Sequence, residues 1–175
     1  LPIERSLMMT IHQDRVEALM IYSEPPGIRT DRILAMYDLD RNGRLNGKEL
    51  AIAMPDIAER AFNGVQIEVN GRVPTADAPE MVCKREPDKG LACALYVDLP
   101  LASGPPEKVE VRLLKKSGIL PLPMRASASA GFVLAEQALE GSAIAPDLVV
   151  ALRPGQVWRT KIVPESHLAK PSPLK

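Results

Sequence analysis

Six residues in one twelve-residue stretch offer oxygen atoms at a spacing that suits a hard cation. Residues 38–49 read DLDRNGRLNGKE, with oxygen-bearing side chains at the first, third, fifth, ninth and twelfth positions. These are Asp38, Asp40, Asn42, Asn46 and Glu49, and the main-chain carbonyl of Arg44 occupies the seventh position. Calcium binds six to eight oxygens at roughly 2.3–2.6 Å, and a short loop supplies them when a bidentate carboxylate closes its far end. The spacing therefore predicts a Ca²⁺ site, with Gly43 at the sharp bend.

This run resembles the calcium loop of the EF-hand family at every ligand position. The resemblance implies a helix on each side of the loop, an insert over residues 28–62, and Ca²⁺ as the bound ion. An Asp/Asn-Gly turn between two helices is the alternative, and it needs no ion. Five correctly spaced oxygen side chains and the hydrophobic eighth residue, Leu45, favour the calcium loop over such a turn.

The flanking segments have the periodicity of short helices. Thr30 is a candidate N-cap for the entering helix, and the exiting helix is expected to begin at about Gly47. The apolar positions are Ile33, Leu34 and Tyr37 before the loop and Leu50 and Ala53 after it. Pro55 removes a helical hydrogen bond and clashes with the preceding turn. We therefore expect the exiting helix to stop or kink after two turns, with residues 56–62 forming another helical piece and Asn63-Gly64 capping it.

EF-hands usually occur in pairs that are joined by a small β-bridge at the eighth loop position. The sequence contains no second loop, because the acidic stretches around Asp77 and Asp88 lack the spacing. Leu45 is therefore expected to pair with another segment or with a second copy of the chain.

Most of the remaining chain alternates with period two, which indicates half-buried strands. Residues 5–11 and 16–22 predict an opening hairpin, residues 65–69 lead into an Asn-Gly turn, and residues 148–152 and 157–163 flank a Pro-Gly turn. Alternating apolar residues mark two further strand faces: Val109, Val111 and Leu113, then Trp158, Thr160 and Ile162. This spacing predicts a mainly β, α+β fold, an immunoglobulin-like β-sandwich with the helix-loop-helix inserted. We expect residues 1–163 to form a single domain and residues 164–175 to form a Pro/Lys-rich tail or linker.

The two cysteines predict a disulfide. Residues 81–85 and 91–97 read as a hairpin, and folding it about Asp88 places Cys83 opposite Cys93. Directly opposed residues have Cβ atoms about 4.5–5.5 Å apart, close to disulfide reach. Two buried free thiols, or a one-residue slip of register, are the alternatives. A disulfide implies an oxidising compartment, so an exported location, periplasmic or extracellular, is expected. The order of elements, a hairpin, then a lone EF-hand, then a β-rich remainder, also resembles exported bacterial families that carry a single EF-hand.

Composition and residue placement exclude several functional classes. Lys+Arg and Asp+Glu are equal at 22, and aromatic residues make up only 3%, which disfavours nucleic acid as a partner. No apolar run reaches the roughly 18 residues of a membrane span, although an anchor outside this chain is compatible with the sequence. The histidines, His12 and His167, lack a metal or triad spacing, and the serines lack a nucleophile elbow. Carboxylates such as Glu110 are interpreted as strand-face residues.

The sequence favours a non-enzymatic, exported, calcium-binding domain. In this interpretation the ion rigidifies the helical insert on a β-sandwich that contacts another protein. The alternative is a calcium-responsive regulatory or auxiliary domain of a membrane transport or enzyme system. A third interpretation is an enzyme that calcium stabilises.

Overall fold

The chain opens with the β-hairpin that its alternating pattern predicts. The structure is a computed structural model that describes residues 3–86, 90–102, 104–115, 120–146 and 148–167. Strand β1, Glu4–Ile11, pairs antiparallel with strand β2, Arg15–Glu24. Leu7 and Met9 are buried whereas Met8 is 52% exposed. Because successive side chains of a strand point to opposite faces, the hairpin has one core face and one outer face.

Two helices follow the hairpin, in the helix-loop-helix order that the sequence predicts. Helix α1 is Ile28–Tyr37, strand β3 is the two-residue segment Arg44–Leu45, and helix α2 is Gly47–Ala61. Ile33 and Leu34 are buried on the inner side of α1, and Ala53 and Ile57 are buried on α2. The apolar faces of both helices therefore pack into the core as the periodicity indicates.

The prediction of Thr30 as an N-cap is wrong. The N-cap is Gly27, three residues earlier, whose φ of 144° suits glycine, and helix α1 begins at Ile28. Thr30 lies inside the helix, where it is buried and its hydroxyl donates a hydrogen bond to the Pro25 carbonyl at 2.7 Å. Thr30 thus ties α1 to the short connection from β2, and it does not start the helix.

Of the two outcomes expected at Pro55, a stop or a kink, the stop is wrong, since α2 continues through it to Ala61. A proline at this position deprives the Ala51 carbonyl of its helical donor. Ala51 and Pro55 are both exposed, so water can hydrogen-bond that carbonyl. Ile57 and Ala61 are fully buried, and their packing favours the uninterrupted helix. Beyond the C-cap residue Phe62, the chain turns at Gly64, with φ of 74°, close to the predicted Asn-Gly cap.

The rest of the described chain is composed of strands joined by turns. The strands are β4 Val65–Val69, β5 Glu80–Glu86, β6 Gly90–Pro100, β7 Lys108–Leu113, β8 Leu122–Ala128, β9 Phe132–Leu139, β10 Ser142–Ala143, β11 Val150–Leu152 and β12 Val157–Pro164. The predicted Asn70-Gly71 turn is confirmed by positive φ at both residues, 52° and 79°. A 3-10 turn, Glu165–His167, follows β12. The rest of the predicted tail, residues 168–175, lies outside the described residues.

These strands form two sheets. The first has seven strands in the order β11-β8-β1-β2-β6-β5-β3, and the second has five in the order β10-β9-β12-β7-β4. Neighbouring strands are antiparallel except β1 and β8, which are parallel. The predicted strand faces are confirmed: Val111 of β7 lies opposite Trp158 of β12, and both are buried.

One hydrophobic core joins the two sheets and the helices. Its largest buried side chains come from both sheets, with Tyr22 and Leu95 from the first and Trp158 and Leu113 from the second, and Ile57 of α2 is buried with them. The result is a sandwich-like, β-rich α+β fold, as the sequence predicts. The finer immunoglobulin-like assignment stays a prediction.

Candidate metal centre

The predicted loop residues lie between the end of α1 and the first turn of α2. Asp38 is the C-cap of α1, Asp40 follows two residues later, and Glu49 lies in the first turn of α2. Gly43, at the predicted bend, has φ of 77°, a value that disfavours side-chain-bearing residues. The two helix ends therefore bring residues from both sides of the loop to one place.

Three carboxylates meet in this loop. One oxygen from each of Asp38, Asp40 and Glu49 lies within 4.8 Å of the others. Among the described residues, this is the one group of three or more His, Cys, Asp or Glu side chains close enough to share an ion. The structure therefore brings together three of the five side chains that the sequence assigns to the site.

Glu49 is the most constrained of the three carboxylates. It is only 6% exposed, and its Oε2 accepts hydrogen bonds from the main-chain N–H groups of Leu39 and Asp40, the latter at 3.2 Å. These bonds hold one carboxylate oxygen against the start of the loop. Because Glu49 belongs to α2 and its donors follow α1, the contact ties the two helix ends together.

The Asp38 carboxylate organises the middle of the loop. Its Oδ2 accepts a hydrogen bond from the Gly43 N–H at 2.8 Å, and its Oδ1 accepts one from the Asn42 N–H at 3.2 Å. These donors are main-chain groups that carry no formal charge. Within the described part of the chain, no Lys or Arg forms an ion pair with Asp38, Asp40 or Glu49. Arg41 and Arg85 line the same cavity as Asp38, so basic side chains lie nearby without pairing with these carboxylates. A cation placed between the three carboxylates would offset their mutual repulsion directly.

The remaining predicted ligands lie close by but are not all directed at the carboxylates. Asn42 donates from Nδ2 to Asp40 Oδ2 at 3.1 Å, and its Oδ1 accepts from the Arg44 N–H at 2.8 Å. Arg44, whose main-chain carbonyl is the predicted ligand, lies in β3 opposite Lys84. Asn46 precedes α2 in an extended conformation and its side chain forms no capping hydrogen bond.

The loop is joined to the seven-stranded sheet at its eighth residue. Leu45 lies opposite Cys83 of β5, Arg44 lies opposite Lys84, and the Arg85 N–H donates to the Gly43 carbonyl at 3.2 Å. The expectation that Leu45 pairs with another segment is therefore confirmed. The sequence did not identify β5 as that segment, because a two-residue bridge has no periodicity of its own.

The predicted disulfide is present beside this bridge. Cys83 lies directly opposite Cys93 in the β5–β6 hairpin, and the two residues form a disulfide with Cα atoms 4.1 Å apart. Residues 87–89 of the predicted turn lie outside the described residues. A disulfide is compatible with a protein that is exported to an oxidising compartment.

Three polar contacts that the sequence did not reveal lie at the helices and at the end of β2. The Tyr37 hydroxyl of α1 donates to Asp56 Oδ2 of α2 at 2.8 Å, and this bond raises the pKa of Tyr37. Deeper in the core, the Tyr22 hydroxyl donates to the fully buried Glu24 carboxylate at 2.5 Å. Arg29 of α1 lies 3.0 Å from the other Glu24 oxygen. The periodicity of apolar residues does not predict polar contacts of this kind.

The other residues considered for chemistry lie apart from the loop. His12 follows β1, with Nε2 3.3 Å from Glu17, and His167 is exposed in the 3-10 turn. Glu110 is more enclosed than the strand-face interpretation implies, since its side chain is 13% exposed and Lys108 lies 2.7 Å away. That contact lowers the pKa of Glu110. In the described part of the chain, neither helix has the length and apolarity needed to cross a membrane.

Comparisons of the sequence with protein-family models and with curated proteins found no match.

Proposed function

We propose that this chain is a non-enzymatic calcium-binding domain that takes up one Ca²⁺ in the loop of residues 38–49. The proposed ligands are the side chains of Asp38, Asp40, Asn42 and Glu49, the Arg44 carbonyl, and a water held by Asn46. Bound in this way, the ion joins the end of α1 to the start of α2. Its role is to rigidify the helical insert on the sandwich.

The convergence of three carboxylates, none of them ion-paired with a described Lys or Arg, is the observation that carries this proposal. Asp38, Asp40 and Glu49 come from both sides of the loop and offer oxygens within 4.8 Å of one another. A buried Glu49 is costly without a partner charge. A divalent cation placed between the carboxylates would offset both that cost and their mutual repulsion.

The donor set favours calcium over magnesium. The ligands are carboxylate, amide and carbonyl oxygens, which hard cations prefer. A bidentate Glu49 raises the coordination number above the octahedral six that Mg²⁺ demands. We therefore expect Mg²⁺ to compete poorly with Ca²⁺.

The proposal includes export and contact with another protein. The Cys83–Cys93 disulfide supports export. Four large apolar side chains on the outer face of the seven-stranded sheet are at least 40% exposed, and they support a protein contact. They are Met8, Ile21, Val82 and Tyr96, on the adjacent strands β1, β2, β5 and β6. We also propose that the two-sheet fold is an immunoglobulin-like sandwich.

The direct test replaces the residue that closes the loop. Glu49→Gln removes one charge and the bidentate geometry, so calcium affinity measured by calorimetric titration should fall by at least tenfold. Glu59→Gln is the matched control, because Glu59 lies on the same helix and is exposed. Its affinity should equal that of the parent. Parent-like binding by Glu49→Gln would show that the loop assignment is wrong.

A calcium-responsive regulatory domain is the second candidate, and exposed apolar residues on the insert favour it. Met36 is 62% exposed, Leu39 is 68% exposed and Ile52 is 59% exposed. A sensor hand swings its helices apart and exposes further apolar surface when calcium binds. Under the leading proposal, the fluorescence of a hydrophobic-surface dye should be the same in calcium and in chelator. A marked calcium-dependent rise would favour the regulatory role.

A further inference from the structure

The calcium loop is built onto the edge of the seven-stranded sheet. Among the described strands, β3 pairs with β5 alone, through Arg44–Lys84 and Leu45–Cys83, and so occupies the edge position. Leu45 is 3% exposed and Cys83 is 8% exposed, so their contact lies within the core. Strand β5 therefore has the position that the second loop of an EF-hand pair would have.

Strand β5 is itself fastened to the centre of the sheet by the disulfide. Cys83 pairs with Cys93 of β6, and β6 pairs with β2 along ten residue pairs from Arg15–Pro100 to Glu24–Leu91. Leu45, Cys83 and Cys93 thus lie on three neighbouring strands at one level of the sheet. A covalent bond therefore connects Cys83, the residue opposite Leu45, to β6, a strand paired along its length with both β2 and β5.

We infer that the Cys83–Cys93 disulfide positions the calcium loop and thereby sets its affinity for Ca²⁺, an inference that rests on the proposed function. The disulfide holds β5 in the register that supports β3, and β3 holds the loop between its two helices. Cys83 and Cys93 are positioning residues in this account, because neither contacts the ion.

Reduction of the disulfide is the step that would weaken the site. A dithiol reductant donates two electrons and two protons, breaks the S–S bond, yields the two thiols of Cys83 and Cys93, and closes its own disulfide. Strand β5 then loses its covalent restraint and the loop loses a fixed edge. Linkage requires the converse, that calcium makes the disulfide harder to reduce by the same factor. We expect a factor of about 5 or more, at the lower end of known couplings between sites.

The test measures calcium affinity by calorimetry in three forms of the whole chain: oxidised, dithiol-reduced, and the double variant Cys83→Ala/Cys93→Ala. The oxidised form should bind at least fivefold more tightly than the other two. Val109→Ala is the stability control, because Val109 is fully buried in β7 of the other sheet. It should lower the melting temperature without changing the affinity. Equal affinity in oxidised and reduced protein, or an equal loss in Val109→Ala, would overturn the inference.

A second variant covers the case in which loss of the disulfide unfolds the chain. Leu45→Ala keeps both cysteines but removes the buried side chain that lies opposite Cys83. Its oxidised form should fold and bind calcium at least fivefold more weakly than the parent, and parent-like affinity would overturn the inference. Absence of calcium binding by the oxidised parent would instead overturn the proposed function, and this inference with it.

Discussion

At the residue scale, the buried pair Tyr22 and Glu24 shows how a charged group is accommodated in this core. The Glu24 carboxylate is fully buried and accepts a 2.5 Å hydrogen bond from the Tyr22 hydroxyl. Burial, together with this hydrogen bond, raises the pKa of Tyr22. The phenol is therefore protonated in the folded state, and its stabilising effect is fully present below the ordinary tyrosine pKa of about 10 and declines as the pH rises above it.

Tyr22→Phe should destabilise the fold at pH 7. The change removes a donor from a buried carboxylate, for which the expected cost is about 1–3 kcal/mol. Urea unfolding measures it. Tyr96→Phe is the control, because Tyr96 is 54% exposed and its hydroxyl can hydrogen-bond to water. Equal stability of the Tyr22→Phe variant and the parent would show that the hydrogen bond contributes nothing net.

At the same scale, the spacing of oxygen-bearing residues predicted most of the candidate site. Asp38, Asp40 and Glu49 converge because the loop spacing needs only local geometry. The Tyr37–Asp56 bond and the Glu24 contacts could not be predicted, since each joins residues whose proximity depends on how the helices pack. The polarity of a side chain alone does not indicate which residue it will form a hydrogen bond with.

At the element scale, the connection between β2 and α1 is packed tightly against the start of β6. A Cβ atom at Gly90, whose φ is 72°, would lie 2.3 Å from the Glu24 carbonyl oxygen and 2.6 Å from the Pro25 carbonyl carbon. These are main-chain atoms, which cannot move aside as the end of a flexible side chain can. A residue without a Cβ is therefore required where β6 passes this connection.

Gly90→Ala should accordingly be far more destabilising than Gly71→Ala. Gly71 also has positive φ, 79°, but nothing lies within 4 Å of its would-be Cβ. Backbone strain alone costs on the order of 1 kcal/mol at Gly71, whereas Gly90→Ala adds a main-chain clash that should raise the loss to about 3 kcal/mol or more. Thermal unfolding of the two variants provides the comparison. Similar losses would indicate that the chain around Gly90 relaxes freely.

Hydrophobic alternation and turn residues predicted those elements that depend on a single short segment of the chain. The opening hairpin, the Asn70-Gly71 turn and the opposition of Cys83 and Cys93 each follow from alternation or turn residues within a short stretch. Pro55 favours a stop or a kink in α2, but the helix does not stop there, because the burial of Ile57 outweighs one lost hydrogen bond. Tertiary packing overrode local propensity at that position.

At the scale of the whole molecule, the pairings between strands far apart in the chain could not be predicted from the sequence. Strands β1 and β8 pair in parallel although more than one hundred residues separate Leu7 from its partner Met124. Strand β3 pairs with β5, and Leu45 of β3 is buried in the core. Such pairings are selected by the burial of whole faces, which depends on all strands at once.

The central claim is that calcium binds in residues 38–49 and fastens the helical insert to the sheet. Amide hydrogen–deuterium exchange in calcium and in chelator tests both the place and the nature of this effect. Calcium should slow exchange in residues 38–49 and in the adjoining turns of α1 and α2, and it should leave β7 and β12 unchanged. In Glu49→Gln this protection should vanish. Unchanged exchange in residues 38–49 of the parent, or faster exchange along α1 and α2 when calcium is added, would contradict the account.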